Sequence, residues 1–114
     1  MDIQTKPLND PLKGVQIILK GRLDIQSSEA VKNQLQQVIH TSAAVAIVTL
    51  DQVHFIDSAG LSALVSGLRL AREQDKDIVL VGLTKQAEMV FKLTMLDRIF
   101  SIYPTLDNAL ASLS

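Results

Sequence analysis

The apolar positions along the chain change period several times, and each change marks an element. From Ile3 to Pro7 the alternation is weak, with Ile3 and Thr5 on one side and Gln4 and Lys6 on the other. This reads as a strand that Pro7 confines to a sheet edge. The turn formers of Asn9-Asp10-Pro11-Leu12-Lys13-Gly14 lead into a stronger strand, Val15 to Arg22, and the two predict an antiparallel hairpin. After Gly21-Arg22-Leu23-Asp24 the period becomes helical. Val31, Leu35, Val38 and Ile39 form one apolar stripe, Ser27 or Ser28 stands at the capping position, and Glu29 faces the positive end of the helix dipole. Lys32, Asn33, Gln34, Gln36 and Gln37 make the opposite, solvated face.

The stretch from Val45 to Gln74 organises the rest. Val45, Ile47, Val48 and Leu50 form a β-branched run of strand length, and Leu61, Leu64, Val65 and Leu68 follow at helical spacing, with Asp57-Ser58-Ala59-Gly60 between them. A continuous apolar strand feeding a helix is the pattern of a parallel strand buried on both faces. The turn therefore belongs at the carboxyl edge of a sheet, where α/β folds place their sites. Ile78 to Leu83 is a second buried strand, Thr84 caps a helix holding Ala87, Val90 and Phe91, and Leu96, Ile99, Phe100 and Ile102 carry the apolar content into a short last strand or extended segment. Pro104-Thr105 then opens a terminal helix.

The element order is β-β-α-β-α-β-α-β-α. Strands separated by helices are parallel with right-handed crossovers. The fold class expected is thus α/β: a single domain over residues 1–114 with a small mixed, largely parallel sheet of four to five strands and helices chiefly on one face. Met89 and Met95 read as core filler.

Composition narrows the function classes. Eleven Lys and Arg are scattered against twelve Asp and Glu, which leaves no footprint for nucleic acid or an anionic membrane. Cysteine is absent, which removes disulfides, thiolate catalysis and zinc-thiolate sites. The longest apolar runs fall far short of the roughly 18 residues of a membrane helix, so a soluble, cytoplasmic chain is expected. The five glycines match neither common nucleotide-binding loop. Two histidines, His40 and His54, without a local carboxylate make no metal-ligand pattern. No cofactor and no metal are expected.

Ser58 is the candidate for chemistry. Its bland reading is a helix cap, since Ser and Asp both serve there. Its functional reading is a phosphate acceptor: a hydroxyl at a helix amino terminus lies beside unpaired N–H groups and the positive end of the dipole, where a phosphate is stabilised. Phosphorylation there would add roughly 1.5 to 2 negative charges with the fold intact. A nucleophilic serine is disfavoured, because the first glycine of G-x-S-x-G is missing and only His40 or His54 could complete a triad. Asp24 reads either as a turn residue or, with Asp57 and Ser58, as an acidic rim for a partner's Arg or Lys.

Gly21-Arg22-Leu23-Asp24, Phe55-Ile56-Asp57-Ser58-Ala59-Gly60-Leu61, Ile78 to Gly82, Leu96-Asp97-Arg98-Ile99-Phe100 and Ala109-Leu110 together resemble the STAS domain family (sulfate transporter and anti-sigma-factor antagonist). A stand-alone domain of this length resembles a bacterial anti-sigma-factor antagonist. The resemblance implies a non-enzymatic protein whose unmodified form binds an anti-sigma factor, itself a serine kinase of histidine-kinase-like ATPase fold, and so releases a sigma factor. Phosphorylation of the acceptor serine, which aligns with Ser58, would end the interaction, and a PP2C-type phosphatase would restore it. ATP and metal would belong to those partners. Asp24, Asp57, Ser58, Ala59, Gly60, Leu61 and Ser62 are the partner-binding residues so implied.

Two positions depart from the family pattern. Ser62 stands where many antagonists have glycine and offers a second hydroxyl, and Met95 stands where glycine often ends the third helix. Another class of function stays open beside the switch: a scaffold or accessory subunit of a transporter or stress-sensing complex, docked without phosphorylation.

Overall fold

A computed structural model describes residues 1–8 and 13–113; Asn9 to Leu12, most of the predicted first turn, lie outside the described residues. The strands are β1 (Asp2–Pro7), β2 (Gly14–Leu23), β3 (Val45–Ile56), β4 (Asp77–Val81) and β5 (Ser101–Tyr103). The helices are α1 (Ser28–Ile39), α2 (Ser58–Glu73), α3 (Lys85–Leu93) and α4 (Leu106–Leu113), and a 3-10 turn spans Leu96–Arg98. The five strands lie in sequence order, β1-β2-β3-β4-β5. β1 is antiparallel to β2, as the hairpin pattern predicts, and every other pairing is parallel.

That order explains the layering. Each step from β2 to β5 moves to the adjacent strand in the same direction, so right-handed crossovers place α1, α2 and α3 on one face. Their buried residues, including Leu35, Leu64 and Phe91, form one cluster with Ile17, Leu19, Val48 and Leu80 of the strands. The helix α4 follows the last strand, has no crossover to make, and packs on the opposite face. There Ala109 joins Val45, Ile47, Val79 and Val81, and the Tyr103 hydroxyl meets Ser112 Oγ at 2.8 Å. Alternate residues of β3 and β4 are thus buried on both faces, which is why both strands read as unbroken apolar runs.

The sheet is uneven at one end. β3 pairs with β2 from Val45 to Ile56 but with β4 only from Val45 to Thr49. The stretch of β3 from Leu50 to Ile56 therefore projects beyond β4 with one edge unpaired by a strand, and buried backbone groups left without partners would cost roughly 1–3 kcal/mol each. Side chains of α3 take the missing strand's place. Gln86 Oε1 accepts from the Ile56 N–H at 3.3 Å, Gln86 Nε2 donates to Ile56 O at 3.4 Å, and Thr84 Oγ1 donates to Val53 O at 3.4 Å. Thr84 also caps α3 as predicted, accepting from the Ala87 N–H.

Two expectations are corrected. Met89 and Met95 are not core filler: their exposures are 63% and 60%, beside Leu93 at 78%. In α3 the sheet takes only Ala87 and Phe91 fully, and apolar residues at five of nine positions leave some facing water whichever way the helix turns. Met95 has φ 61°, the left-handed conformation expected where a glycine would end the helix, at a strain of about 1 kcal/mol for a residue with a Cβ. The second correction concerns the cap of α1: Ser27 stands at the capping position but its side chain makes no cap bond, and Ser28 Oγ donates to Ile25 O instead of accepting from the helix.

Candidate functional site

The carboxyl ends of β2 and β3 are neighbours, with Leu23 opposite Ile56. This register brings the two strand-to-helix turns together, and with them Asp24, Asp57 and Ser58. Because the parallel strands never reverse direction of addition, the sheet has no topological switch point and no crevice opens at its carboxyl edge. The site is a surface. Larger cavities lie elsewhere, one of about 530 Å³ between α3 and β5.

Asp57 holds the two turns to each other. One carboxylate oxygen accepts from the Gly60 N–H at 2.9 Å and caps α2; the other accepts from the Ile25 N–H, 32 residues back in the first turn, at 3.2 Å. The Asp57 N–H donates to Leu23 O at 3.2 Å. Gly60 makes this approach possible. A Cβ at position 60 would stand 2.3 Å from Leu23 O, closer than any real contact, so the D-S-x-G spacing records a backbone crossing as well as a cap.

Capping by Asp57 frees Ser58. The serine is the first residue of α2, is exposed, and its hydroxyl has no hydrogen-bond partner among the described residues. The N–H groups of Ser58 and Ala59 have no partner within the helix, so the hydroxyl stands at the positive end of a 16-residue helix.

Ser27, in the neighbouring turn, has the opposite fate. It is buried, its Oγ donates to Arg22 O at 2.6 Å and accepts from the Asp24 N–H at 3.0 Å. Its hydroxyl is spent on closing the turn that carries Asp24.

Asp24 lies within this loop, accepting from the Gln26 N–H at 3.0 Å and from Arg22 Nε at 3.4 Å. Desolvation alone would raise its carboxyl, but the Gln26 N–H, the Arg22 guanidinium and the Ser27 backbone outweigh it and hold the pKa below the ordinary 3.8. Arg22 is itself braced with its guanidinium 4.2 Å from the centre of the Phe55 ring, a cation–π contact.

The structure therefore gathers Asp24, Asp57, Ser58, Ala59 and Ser62 on one surface, and sets Gly60 and Leu61 beneath it. Gly60 and Leu61 are buried; they support the turn through packing and present no side chain outward. Ala59 and Ser62 face a shallow groove of about 310 Å³ shared with Ser28, Glu29 and Lys32 of α1. Sequence reasoning missed two residues. Ile25, 73% exposed and bonded through its backbone N–H to Asp57, is a large apolar residue next to Asp24, and its place in a turn without period gave no signal. Gln86, which clamps Ile56, has no motif around it that marks such a role.

Neither histidine serves Ser58. His40 ends α1, at the opposite end of the sheet, with Nδ1 2.7 Å from Gln36 O, and His54 is an exposed residue of β3 with no bond to the serine. Among the described residues no group of three or more His, Cys, Asp or Glu side chains is placed to hold a metal ion, and no helix is long and apolar enough to cross a membrane.

Comparison with known proteins bears on the family and the fold. The chain is 27% identical over 88 residues to the anti-sigma-B factor antagonist of Listeria monocytogenes, covering 77% of each protein. A crystal structure of a Thermotoga maritima protein proposed to be an anti-sigma-factor antagonist superimposes with a TM-score of 0.89 at 25% identity, over 97% of this chain and 93% of the other. The phosphorylated form of the Bacillus cell fate determinant SpoIIAA shares the fold, with a TM-score of 0.75 and 19% identity over 99% of this chain and all of that one. The STAS domain family model matches residues 6–109, and the chain belongs to the STAS domain family.

Proposed function

We propose that this protein is an anti-sigma-factor antagonist that works as a phospho-switch, with Ser58 as the acceptor. The observation that carries the reading is the free, exposed hydroxyl of Ser58 at the start of α2, with the cap supplied by Asp57 instead. Unmodified, the surface of Asp24, Ile25, Asp57, Ser58 and Ser62 binds an anti-sigma factor, Asp24 and Asp57 facing its cations and Ile25 supplying an apolar anchor. The relatives' names support an anti-sigma factor as the partner. The family resemblance supports a serine kinase of histidine-kinase-like ATPase fold.

In the complex, Ser58 Oγ attacks the γ-phosphorus of ATP held by the partner. The bond to the bridging oxygen breaks, ADP leaves, and the hydroxyl proton passes to a base of the partner. The product places a near-dianion beside Asp24, Asp57 and the nucleotide's own phosphates. Like charges packed at this distance in an interface cost several kcal/mol, and the complex separates. A PP2C-type phosphatase resets the switch by hydrolysing the phosphoserine to serine and inorganic phosphate. The fold tolerates the modification because the helix dipole and the free first-turn N–H groups favour an anion at this position.

The test is co-purification from the source cells of tagged wild-type, Ser58→Ala and Ser58→Asp proteins. An ATPase-fold partner recovered with the first two and lost with the third supports the switch. Equal recovery with all three overturns it and favours a permanently docked subunit.

A further inference from the structure

Three of the chain's four aromatic residues, Phe91, Phe100 and Tyr103, line one cavity of about 530 Å³ between α3 and β5. Its origin is the end of the sheet. β5 is an edge strand of 3 residues, and the chain leaves it for α4 on the opposite face. No further strand or crossover helix closes the space beside α3, and a hollow of the size that holds small molecules remains.

The lining is divided by polarity. Phe91 and Phe100 are buried, with their rings edge to face at 5.7 Å, and form a floor with the half-buried Leu83 and Ile102. Glu88, Lys92 and Asp97 are exposed and stand at the rim. None of these three side chains has an ion pair or a hydrogen-bond partner among the described residues. For Glu88 and Lys92 this is unexpected, because a glutamate four residues before a lysine is the arrangement that normally pairs on a helix. The rim thus offers two carboxylates and one ammonium, all unengaged, over an apolar and aromatic floor.

The charges choose among ligands. A purely anionic molecule, such as a fatty acid or a nucleotide, would meet two carboxylates for one lysine, and a plain organic cation would face Lys92 with a like charge. A molecule with one charge of each sign beside an apolar body is matched throughout. We infer that this cavity binds a free α-amino acid with a large apolar side chain, its ammonium matched by Glu88 and Asp97, its carboxylate by Lys92, and its side chain laid on Phe91 and Phe100. The floor supplies the attraction. Water and salt screen the exposed rim charges, which therefore select the ligand's charge pattern more than they add affinity. The proposal does not rest on the Ser58 switch, whose surface lies at the ends of β2 and β3.

The scarcity of aromatic residues provides the test. With labelled phenylalanine, the ring NMR signals of Phe91 and Phe100 report on the cavity, and Phe55, which holds Arg22, is the internal control. The probes are L-leucine, N-acetyl-leucine, which lacks the ammonium, and leucinamide, which lacks the carboxylate. The expected result is a saturable shift of Phe91 and Phe100 with Phe55 unmoved, and an affinity for leucine about threefold or more above that for either derivative. Lys92→Glu should transfer the preference to leucinamide, and Glu88→Lys with Asp97→Lys should transfer it to N-acetyl-leucine. Misfolding would produce neither gain. No saturable shift at millimolar leucine, or a smaller preference for leucine than this, overturns the proposal. So does tighter binding of the wild type to leucinamide or to N-acetyl-leucine, which would mark a site for an organic cation or an organic acid instead.

Discussion

The two strand-to-helix turns that meet at the carboxyl edge of the sheet are built from the same residue types and use them in opposite ways. In the first turn, Ser27 is buried with its hydroxyl bonded to Arg22 O and the Asp24 N–H, and Asp24 is bonded to its own loop. In the second, Asp57 takes the structural bonds, to Gly60 and Ile25, and Ser58 takes none. A hydroxyl becomes available for chemistry only when another group has taken over the capping that its position invites. Asp57 is therefore as much a part of the candidate site as Ser58, and the cross-link from Asp57 to Ile25 makes the two turns one surface.

The strongest way to break this arrangement is Gly60→Ala. Its Cβ would meet the backbone carbonyl of Leu23, which has no freedom to withdraw, and the second turn would separate from the first. A loss of about 3 kcal/mol is expected, the upper range of overpacking, read as a lower urea midpoint. Gly67→Ala on the same helix should cost less, about 1 kcal/mol, because there the new methyl meets side chains and no backbone: the ends of Leu35 and Ile78 and, at 3.2 Å, the Leu35 Cβ. Asp57→Ala removes the cap and the link to Ile25 together and should cost about 1–2 kcal/mol.

The serines sharpen the contrast. Ser27→Ala leaves Arg22 O and the Asp24 N–H short of a partner inside the turn, at about 1–2 kcal/mol. Ser58→Ala should stay within about 0.5 kcal/mol of wild type, although it removes the proposed switch. Comparable losses for both serines by urea denaturation would show that Ser58 also carries the fold.

The smallest effect is electrostatic. The Asp24 pKa is lower in the folded state than its ordinary 3.8, so this carboxylate contributes stability that is present above that value and is lost as pH falls through the folded one. The urea midpoint of Asp24→Asn should therefore lie below that of wild type at neutral pH, and the gap should narrow as the pH is taken below about 3.8.

Much of this was legible in the sequence, for identifiable reasons. The buried stripe of α1 and the unbroken strands β3 and β4 follow from period and burial on one or both faces, and Asp24 comes near Asp57 because β2 and β3 are consecutive and parallel. Period carries no information about what a polar side chain at a helix start will bond to, so the expected cap by Ser27 or Ser28 gives way to Ser27 Oγ closing its own turn and Ser28 Oγ donating to Ile25 O. It failed again in α3, where apolar residues surround the helix and only tertiary packing selects Ala87 and Phe91 for burial, leaving Met89 and Leu93 outside. The clamp of Gln86 on Ile56 has no local signature, since its cause is the shortness of β4, 5 residues against the 12 of β3.

The central claim is that Ser58, freed by Asp57, is the residue the cell modifies. The most direct measurement is phosphopeptide mapping of the protein isolated from its own cells with phosphatases inhibited, over several growth conditions. Partial phosphate on Ser58 whose occupancy changes with condition is the predicted result. Absence of phosphate throughout, or phosphate confined to Ser62, would contradict the account.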